Sequence, residues 1–217
     1  MEGFFLKKQV MIVTLLLVFL IGCSPTALND NAAESNHTEL DMKAYEEYLP
    51  NPQVPSDDSL QKVNDTVTDE KGELTLKQIK HVNKTYNLGD IELRIIDVKV
   101  MHLVPDYSLI DYFHTLTHDE EFDFVKVFVE ITNTSDEKMN VAPVAIFKTS
   151  TGENVPWEND IYLDGLNGEI EGNSKRLGNL GFIIEESDID YIEITTSDLF
   201  NEEEEKVSKA EKIKIEF

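Results

Sequence analysis

Between Phe122 and Thr132 the chain alternates without a break. Val125, Val127, Val129 and Ile131 fall on one side, and Phe122, Phe124, Lys126, Phe128 and Glu130 on the other. A period of two sorts residues this way only in extended backbone; a helix would scatter both sets around its circumference. The segment is a β-strand with one aliphatic face and one aromatic face that carries a lysine. The fold has to be a sheet built around it.

Further strands follow from the same pattern. Leu74, Leu76 and Ile79 mark a first one. Ile91, Leu93 and Ile95 alternate in one phase, and Ile96, Val98 and Val100 continue in the opposite phase. A one-residue flip of this kind requires a β-bulge or a change of sheet. Asn133–Asp136 reads as a turn before Met139–Val141 and Val144–Thr149, and Thr151-Gly152 as a tight hairpin turn. Gly172-Asn173-Ser174 is a turn before Arg176–Ile184, and Ile189–Thr195 and Lys212–Phe217 close the chain. Seven or eight short strands without helical periodicity predict an all-β antiparallel sandwich, with a closed barrel as the alternative. The segment 73–217 is long enough to bury roughly two-thirds of its unfolded surface, so the core needs no disulfide.

Charge divides the chain differently. Asp and Glu number 43 against 19 Lys and Arg, for a net charge of −24. Such a chain repels a polyanion, which excludes nucleic-acid binding through phosphate neutralisation. The stretch 23–72 is acidic, rich in Asn, Ser and Pro and poor in β-branched residues, and it reads as a flexible tether averaging on the order of 40 Å end to end. Within it Thr38 caps a short helix from Glu39 to Tyr48, either transient or docked on the domain.

The first 22 residues are of another kind. Lys7 and Lys8 precede an apolar run from Val10 to Ile21, too short for a membrane-spanning helix of ~20 residues but suited to a signal-peptide core. The run ends in Leu20-Ile21-Gly22-Cys23, which resembles the lipobox of bacterial lipoproteins. That resemblance implies cleavage between Gly22 and Cys23, diacylglyceryl transfer to the Cys23 sulfur and, commonly, acylation of the new amino terminus. A plain secretory signal with an incidental cysteine is the other reading. Two or three acyl chains hold a membrane stably where one does so marginally. Cys23 is the sole cysteine, which excludes an internal disulfide, a cysteine zinc site and a CxxC pair. Ser24 rather than aspartate follows it, and lysine outnumbers arginine 17 to 2, which fits a Gram-positive cell.

Tyr86-Asn87-Leu88-Gly89-Asp90, Ile131-Thr132-Asn133-Thr134, Glu171-Gly172-Asn173 and Leu180-Gly181-Phe182-Ile183 together resemble a domain of unknown function in Gram-positive lipoproteins. That domain is related to a secreted mycobacterial immunoprotective antigen. The resemblance spans about residues 74–217 and implies an immunoglobulin-like sandwich outside the cytoplasm, with no catalytic residues to carry over. The stretch 103–121 departs from it as an insertion.

Motifs of chemistry are sparse. Ser59-Leu60-Gln61-Lys62 spells S-x-x-K, but no companion motif accompanies it and no base is positioned beside it. No G-x-S-x-G, H-E-x-x-H, phosphate-binding loop or dinucleotide fingerprint occurs, and the chain reads as non-enzymatic. Two stretches carry metal-ligand residue types. His114 and His118, four apart beside a run of carboxylates, fit a zinc or copper pair if the stretch is helical. Asp160, Asp164 and Glu171 occupy positions 1, 5 and 12 of a calcium loop with Gly165 at position 6, although Tyr162 stands where position 3 needs an oxygen ligand. For both, a surface loop without metal is the competing reading. Glu202–Glu205 is a solvated charge run on a helix or a loop. Trp157 either tucks under its loop or offers a ligand platform. The resulting expectation is a lipid-anchored extracytoplasmic protein on the cell membrane, whose β-sandwich binds an envelope protein or ligand, with a calcium- or zinc-binding module as the alternative.

Overall fold

A computed structural model of the chain describes residues 43–217. The alternating segment is strand β4 (Phe122–Asn133) of a five-stranded antiparallel sheet. Its order is β1 (Thr66–Asp69), β2 (Gly72–Leu88), β3 (Ile91–Pro105), β4, β9 (Lys175–Ile184). One four-stranded sheet runs β13 (Lys212–Glu216), β10 (Tyr191–Thr195), β6 (Ile146–Thr149), β7 (Asn154–Pro156). Another runs β12 (Lys206–Ser208), β11 (Leu199–Asn201), β5 (Met139–Val141), β8 (Gly168–Ile170). The large sheet ends at β1 and β9 rather than closing on itself, so the all-β antiparallel sandwich holds and the barrel does not.

Val125, Val127, Val129 and Ile131 enter one core with Phe147, Ile192, Ile194, Met139, Val141 and Leu199 from the two smaller sheets. Phe147 and Phe182 stack across it, with ring centroids 4.9 Å apart. The phase flip in β3 is a bulge: the register with β4 shifts between Ile95 and Asp97. Ile95 therefore enters the sandwich core while Ile96 packs with Phe128 and Ala44 on the opposite face. Glu202–Glu205 lies in the turn between β11 and β12, where the Asn201 side chain accepts from the backbone N–H groups of Glu203 and Glu205.

The aromatic face of β4 is buried as well, and the covering comes from unexpected places. Val54 and Leu60 pack with Leu74, Leu76, Met101, Phe122 and Phe124, together with Phe113 of the helix Ile110–Phe113 and with Ile161 and Tyr162. A helical turn over 43–47 brings Tyr45 and Tyr48 to Phe128, at centroid distances of 4.7 and 5.7 Å. Gly181 makes room for the 160–162 segment, since a Cβ there would lie 2.7 Å from the Ile161 and Tyr162 side chains.

The expectation of a free tether through residue 72 is therefore corrected: residues 43–65 form a strap across the large sheet, and β1 already belongs to that sheet. A few apolar anchors, each worth roughly 1.5–3 kcal/mol when fully buried, outweigh an unfavourable mean composition. The remainder of the expected tether, 23–42, lies outside the described residues, as do the signal segment 1–22 and the lipobox.

The strap is pinned by charge. Asp57 Oδ2 accepts from Lys99 Nζ at 2.7 Å and from Lys126 Nζ at 2.6 Å, and Lys99 also donates to the Asp57 carbonyl at 2.7 Å. Lys126 donates to the Tyr45 hydroxyl at 2.8 Å, which in turn donates to Asp97 Oδ2 at 2.6 Å. Asp97 Oδ1 stands 3.4 Å from Lys126 Nζ, an ion pair without hydrogen-bond geometry. All four charged residues are buried, and two positive charges balance two negative ones. Burial pushes the Asp57 carboxyl up, but Lys126 and Lys99 outweigh it and hold the group at about 2. Burial and the neighbouring Lys126 charge pull Lys99 down, against Asp57 and Asp97. Burial, then the charges of Asp57 and Asp97, push the Tyr45 hydroxyl up, so it stays a donor.

Removing Asp57 leaves two buried ammonium groups with one carboxylate between them, that of Asp97 beside Lys126. Asp57→Ala is expected to cost about 3–5 kcal/mol in urea unfolding, the usual penalty for breaking a buried ion pair on one side. A loss below about 1 kcal/mol would show that the strap is not pinned there. The pH dependence follows from the depressed carboxyl. Asp57 is ordinarily near 3.8 and sits at about 2 when folded, so its contribution is present above about pH 4 and disappears as pH falls through about 2. The acid limb of the wild-type stability curve should be steeper than that of Asp57→Ala in this window. Parallel limbs would contradict the assignment.

Candidate functional site

At one end of the large sheet β3 and β4 run side by side, and the register pairs His102 with Asp123. Their side chains meet as Nδ1 to Oδ1 at 2.7 Å, and His102 Nε2 lies 3.7 Å from the Glu121 carboxylate. The imidazole opens onto a cleft of about 560 Å³. Phe122, Val155 and Ile183 give it an apolar lining, and Asp119, Glu121, Asp123, Glu153 and Glu185 line it with carboxylates. Glu153 is fixed in place: its carboxylate accepts from the backbone N–H of Glu185 at 2.9 Å and of Glu186 at 3.3 Å.

A histidine held by an aspartate is the base–orienter half of a nucleophilic triad, which also needs a hydroxyl or thiol within hydrogen-bond reach of the imidazole. Thr117 supplies a hydroxyl in the lining, but it donates to Asp119 at 3.2 Å. As built, the cleft positions an imidazole in a field of carboxylates and attracts positive charge. It presents no activated nucleophile among the described residues.

The residues singled out from sequence lie elsewhere. His114 caps the helix Ile110–Phe113, which ends there and leaves the 114–118 stretch non-helical, and the His114 ring stands 6.4 Å from that of His118. No third ligand joins them: among the described residues no group of three or more His, Cys, Asp or Glu is arranged to hold a metal ion. The calcium-loop reading of Asp160, Asp164 and Glu171 is corrected by the same geometry. Asp160 is buried, and its Oδ1 accepts from the N–H groups of Tyr162 at 3.0 Å and Gly181 at 2.8 Å. Burial raises its carboxyl to about 6 despite those backbone donors. Asp164 Oδ2 accepts from the Tyr48 hydroxyl and the Asn179 N–H, both at 2.8 Å, and its Oδ1 from Asn51 Nδ2 at 2.9 Å. Glu171 is exposed and pairs with Lys138 at 3.4 Å. The spacing matches a calcium loop, but the oxygens are committed to internal donors that tie the 160–164 segment to β9 and to the strap. Cys23 and Gly22 lie outside the described residues.

Sequence reasoning passed over the His102–Asp123 pair because the two residues are 21 apart and meet only through strand register. It also passed over the buried lysines, although Lys126 between Phe124 and Phe128 was a visible signal: a charged residue on an aromatic face requires a buried partner. Nothing in the sequence marked Asp57 as that partner.

Comparison with known proteins adds the following. No known family model matches the chain. A Bacillus subtilis (strain 168) protein described as "Uncharacterized protein YdhF" is 47% identical over 235 residues, which covers 97% of this chain and 100% of the relative. A solved structure of a functionally unknown protein from Listeria monocytogenes EGD-e is 14% identical, with a TM-score of 0.47, over 67% of this chain and 87% of that one. A conserved hypothetical protein from Bacillus anthracis is 13% identical, with a TM-score of 0.34, over 60% of this chain and 95% of that one.

Because the aspartates of the 160–171 segment are engaged internally, millimolar calcium or equimolar zinc is expected to leave the melting temperature unchanged. A rise of several degrees with either ion would reinstate a metal site.

Proposed function

This chain belongs to the family of the Bacillus subtilis protein YdhF, and we propose that it is a lipid-anchored extracytoplasmic protein whose β-sandwich domain binds an envelope component without catalysis. The observation that carries the reading is the sequence Lys7-Lys8, an apolar run, then Leu20-Ile21-Gly22-Cys23. A basic start followed by a short apolar core suits export, and a cysteine directly after that core suits thioether attachment of diacylglycerol. The resemblance to the Gram-positive lipoprotein domain related to the mycobacterial antigen agrees with it. Among the described residues no helix is long and apolar enough to cross a membrane, so in this reading the acyl chains at Cys23 are the attachment.

The strap changes what such an anchor does. Residue 43, where the chain already lies against the sheet, is twenty positions beyond Cys23, so the contour between lipid and domain is at most ~70 Å. The domain is held nearer the membrane than a tether reaching to residue 72 would allow. Its acidic surface keeps it from lying on anionic lipid.

Metabolic labelling with an alkyne fatty acid tests the anchor. The wild-type chain should take up label and sediment with membranes, and Cys23→Ala should lose the label and appear in the soluble extracytoplasmic fraction. Label persisting on Cys23→Ala would overturn the proposal.

A further inference from the structure

The two edges of the large sheet are finished differently. At β9 the 160–164 segment closes the edge. The Ile161 N–H donates to the Gly181 carbonyl at 2.9 Å, and Asp160 accepts from the Gly181 N–H and Asp164 from the Asn179 N–H, both at 2.8 Å. At the other edge β1 covers only Gly72 to Thr75 of β2, and backbone bonds from Asn64 and to Asp65 extend the cover to Leu76. Among the described residues no strand pairs with the outer side of β2 over 77–88. An edge strand turns alternate N–H and carbonyl groups outward, so this stretch is a template for one more strand. The template is preformed. β2 bulges between His81 and Lys84, where Asn83 takes a φ of 42° and accepts from Arg94 Nε at 2.9 Å. Lys84 to Leu88 then pair without a break with Ile95 to Ile91, a run of ordinary strand length.

The open edge is also opposite in sign to the chain's net charge of −24. Residues 74–89 form the longest stretch of the described residues without Asp or Glu, and they hold Lys77, Lys80, His81 and Lys84. Most other lysines of the described residues are ion-paired, as Lys138, Lys175 and Lys212 are. Lys77, Lys80 and Lys84 belong to no ion pair among the described residues. Glu216, whose charge Lys80 feels, is held by Lys214 at 2.8 Å. Val82 and Tyr86 are only partly buried against the core, which leaves apolar surface beside the edge. Unpaired backbone groups, unmatched ammonium groups and a strip of apolar surface define the complementary partner.

We propose that the open edge of β2 takes up an extended acidic segment of a partner protein as an added β-strand. Backbone groups of that segment continue the ladder along 84–88. Its carboxylates meet Lys77, Lys80 and Lys84, and its apolar side chains lie beside Val82 and Tyr86. Lysines and bulges also guard edges against pairing. Here that guard is selective: it repels a second copy, which brings the same lysines, and favours a strand that brings carboxylates. A simple polyanion such as polyphosphate matches the lysines but has no N–H groups for the outward carbonyls. The proposal rests on the reading of the domain as an extracytoplasmic binding module and names the partner's chemistry. Its failure would leave the anchor at Cys23, which is read by lipid labelling, untouched.

The detergent-solubilised full chain is titrated with a panel of short fluorescein-labelled peptides that combine glutamate with valine, threonine or tyrosine in both alternation phases. Binding is read by anisotropy and its place by amide hydrogen exchange. At least one acidic peptide should bind saturably and slow exchange within 84–88, and its lysine-for-glutamate counterpart should not. N-methylation of alternate residues, in the phase that faces β2, removes the peptide's N–H donors without changing its charge and should abolish binding. Lys77→Gln, Lys80→Gln and Lys84→Gln should each weaken binding by up to about fivefold, the scale of one exposed ion pair, and leave the melting temperature nearly unchanged. The proposal is overturned if no acidic peptide of the panel binds, if peptides N-methylated in either phase bind equally well, or if inorganic polyphosphate gives the same protection of 84–88. It is also overturned if concentrated protein protects that stretch without peptide, which would make a second copy the occupant.

Discussion

One carboxylate, that of Asp57, holds two lysine side chains inside the protein. Lys99 and Lys126 project from adjacent strands of the large sheet into a region otherwise filled by aromatic and aliphatic groups. Without a partner they would each carry a desolvation penalty of several kcal/mol. Asp57 reaches them only because the strap crosses the sheet at that point, and the strap stays there because Tyr45, Val54 and Leu60 bury their own surface alongside. The ion cluster and the apolar packing thus require each other. Apolar contacts alone would tolerate sliding of the strap; a carboxylate within 2.7 Å of two ammonium groups tolerates one register. The covering of Phe124 and Phe128, the position of the 160–164 segment and the direction from which the chain enters the domain all depend on this arrangement.

The strap makes the large sheet a central layer. Its inner face carries the sandwich core, to which, among the described residues before Leu88, only the partly buried Val82 and Tyr86 pack. Its outer face carries a second set of clusters to which the strap contributes directly. Held to the outer face by one charge cluster and a few apolar and aromatic contacts, the strap has the character of a local unit of stability. The acidic cleft at His102 is lined by none of the residues of the strap's charge cluster.

Legibility followed the range of the interactions involved. The β4 alternation and the bulge at Ile96 were readable because each is a relation among neighbours a few residues apart. The hairpin at Gly152 and the turn at Asn173 were readable for the same reason. The strap was not, because its composition over fifty residues resembles a disordered linker, and the anchors Val54, Asp57 and Leu60 are too few to alter the average. The calcium-loop spacing at Asp160, Asp164 and Glu171 failed for a related reason. Spacing says which residues are near in sequence, but whether their oxygens converge depends on backbone donors from Gly181 and Asn179, which lie on β9 and share no pattern with the loop.

The sequence by itself determined that the chain is a β-protein, which face of β4 is aliphatic and which aromatic, and where one strand bulges. These are consequences of covalent order and of side-chain alternation, and no distant contact can change them. Only the tertiary structure decided that both faces of the large sheet are buried, that Asp57 and Asp97 together balance Lys99 and Lys126, that His102 meets Asp123, and that Trp157 stays partly exposed. Each depends on segments tens of residues apart meeting in space. Which of the many acidic side chains becomes the partner of a buried lysine is settled by strand register and strap path, to which a count of charges is blind.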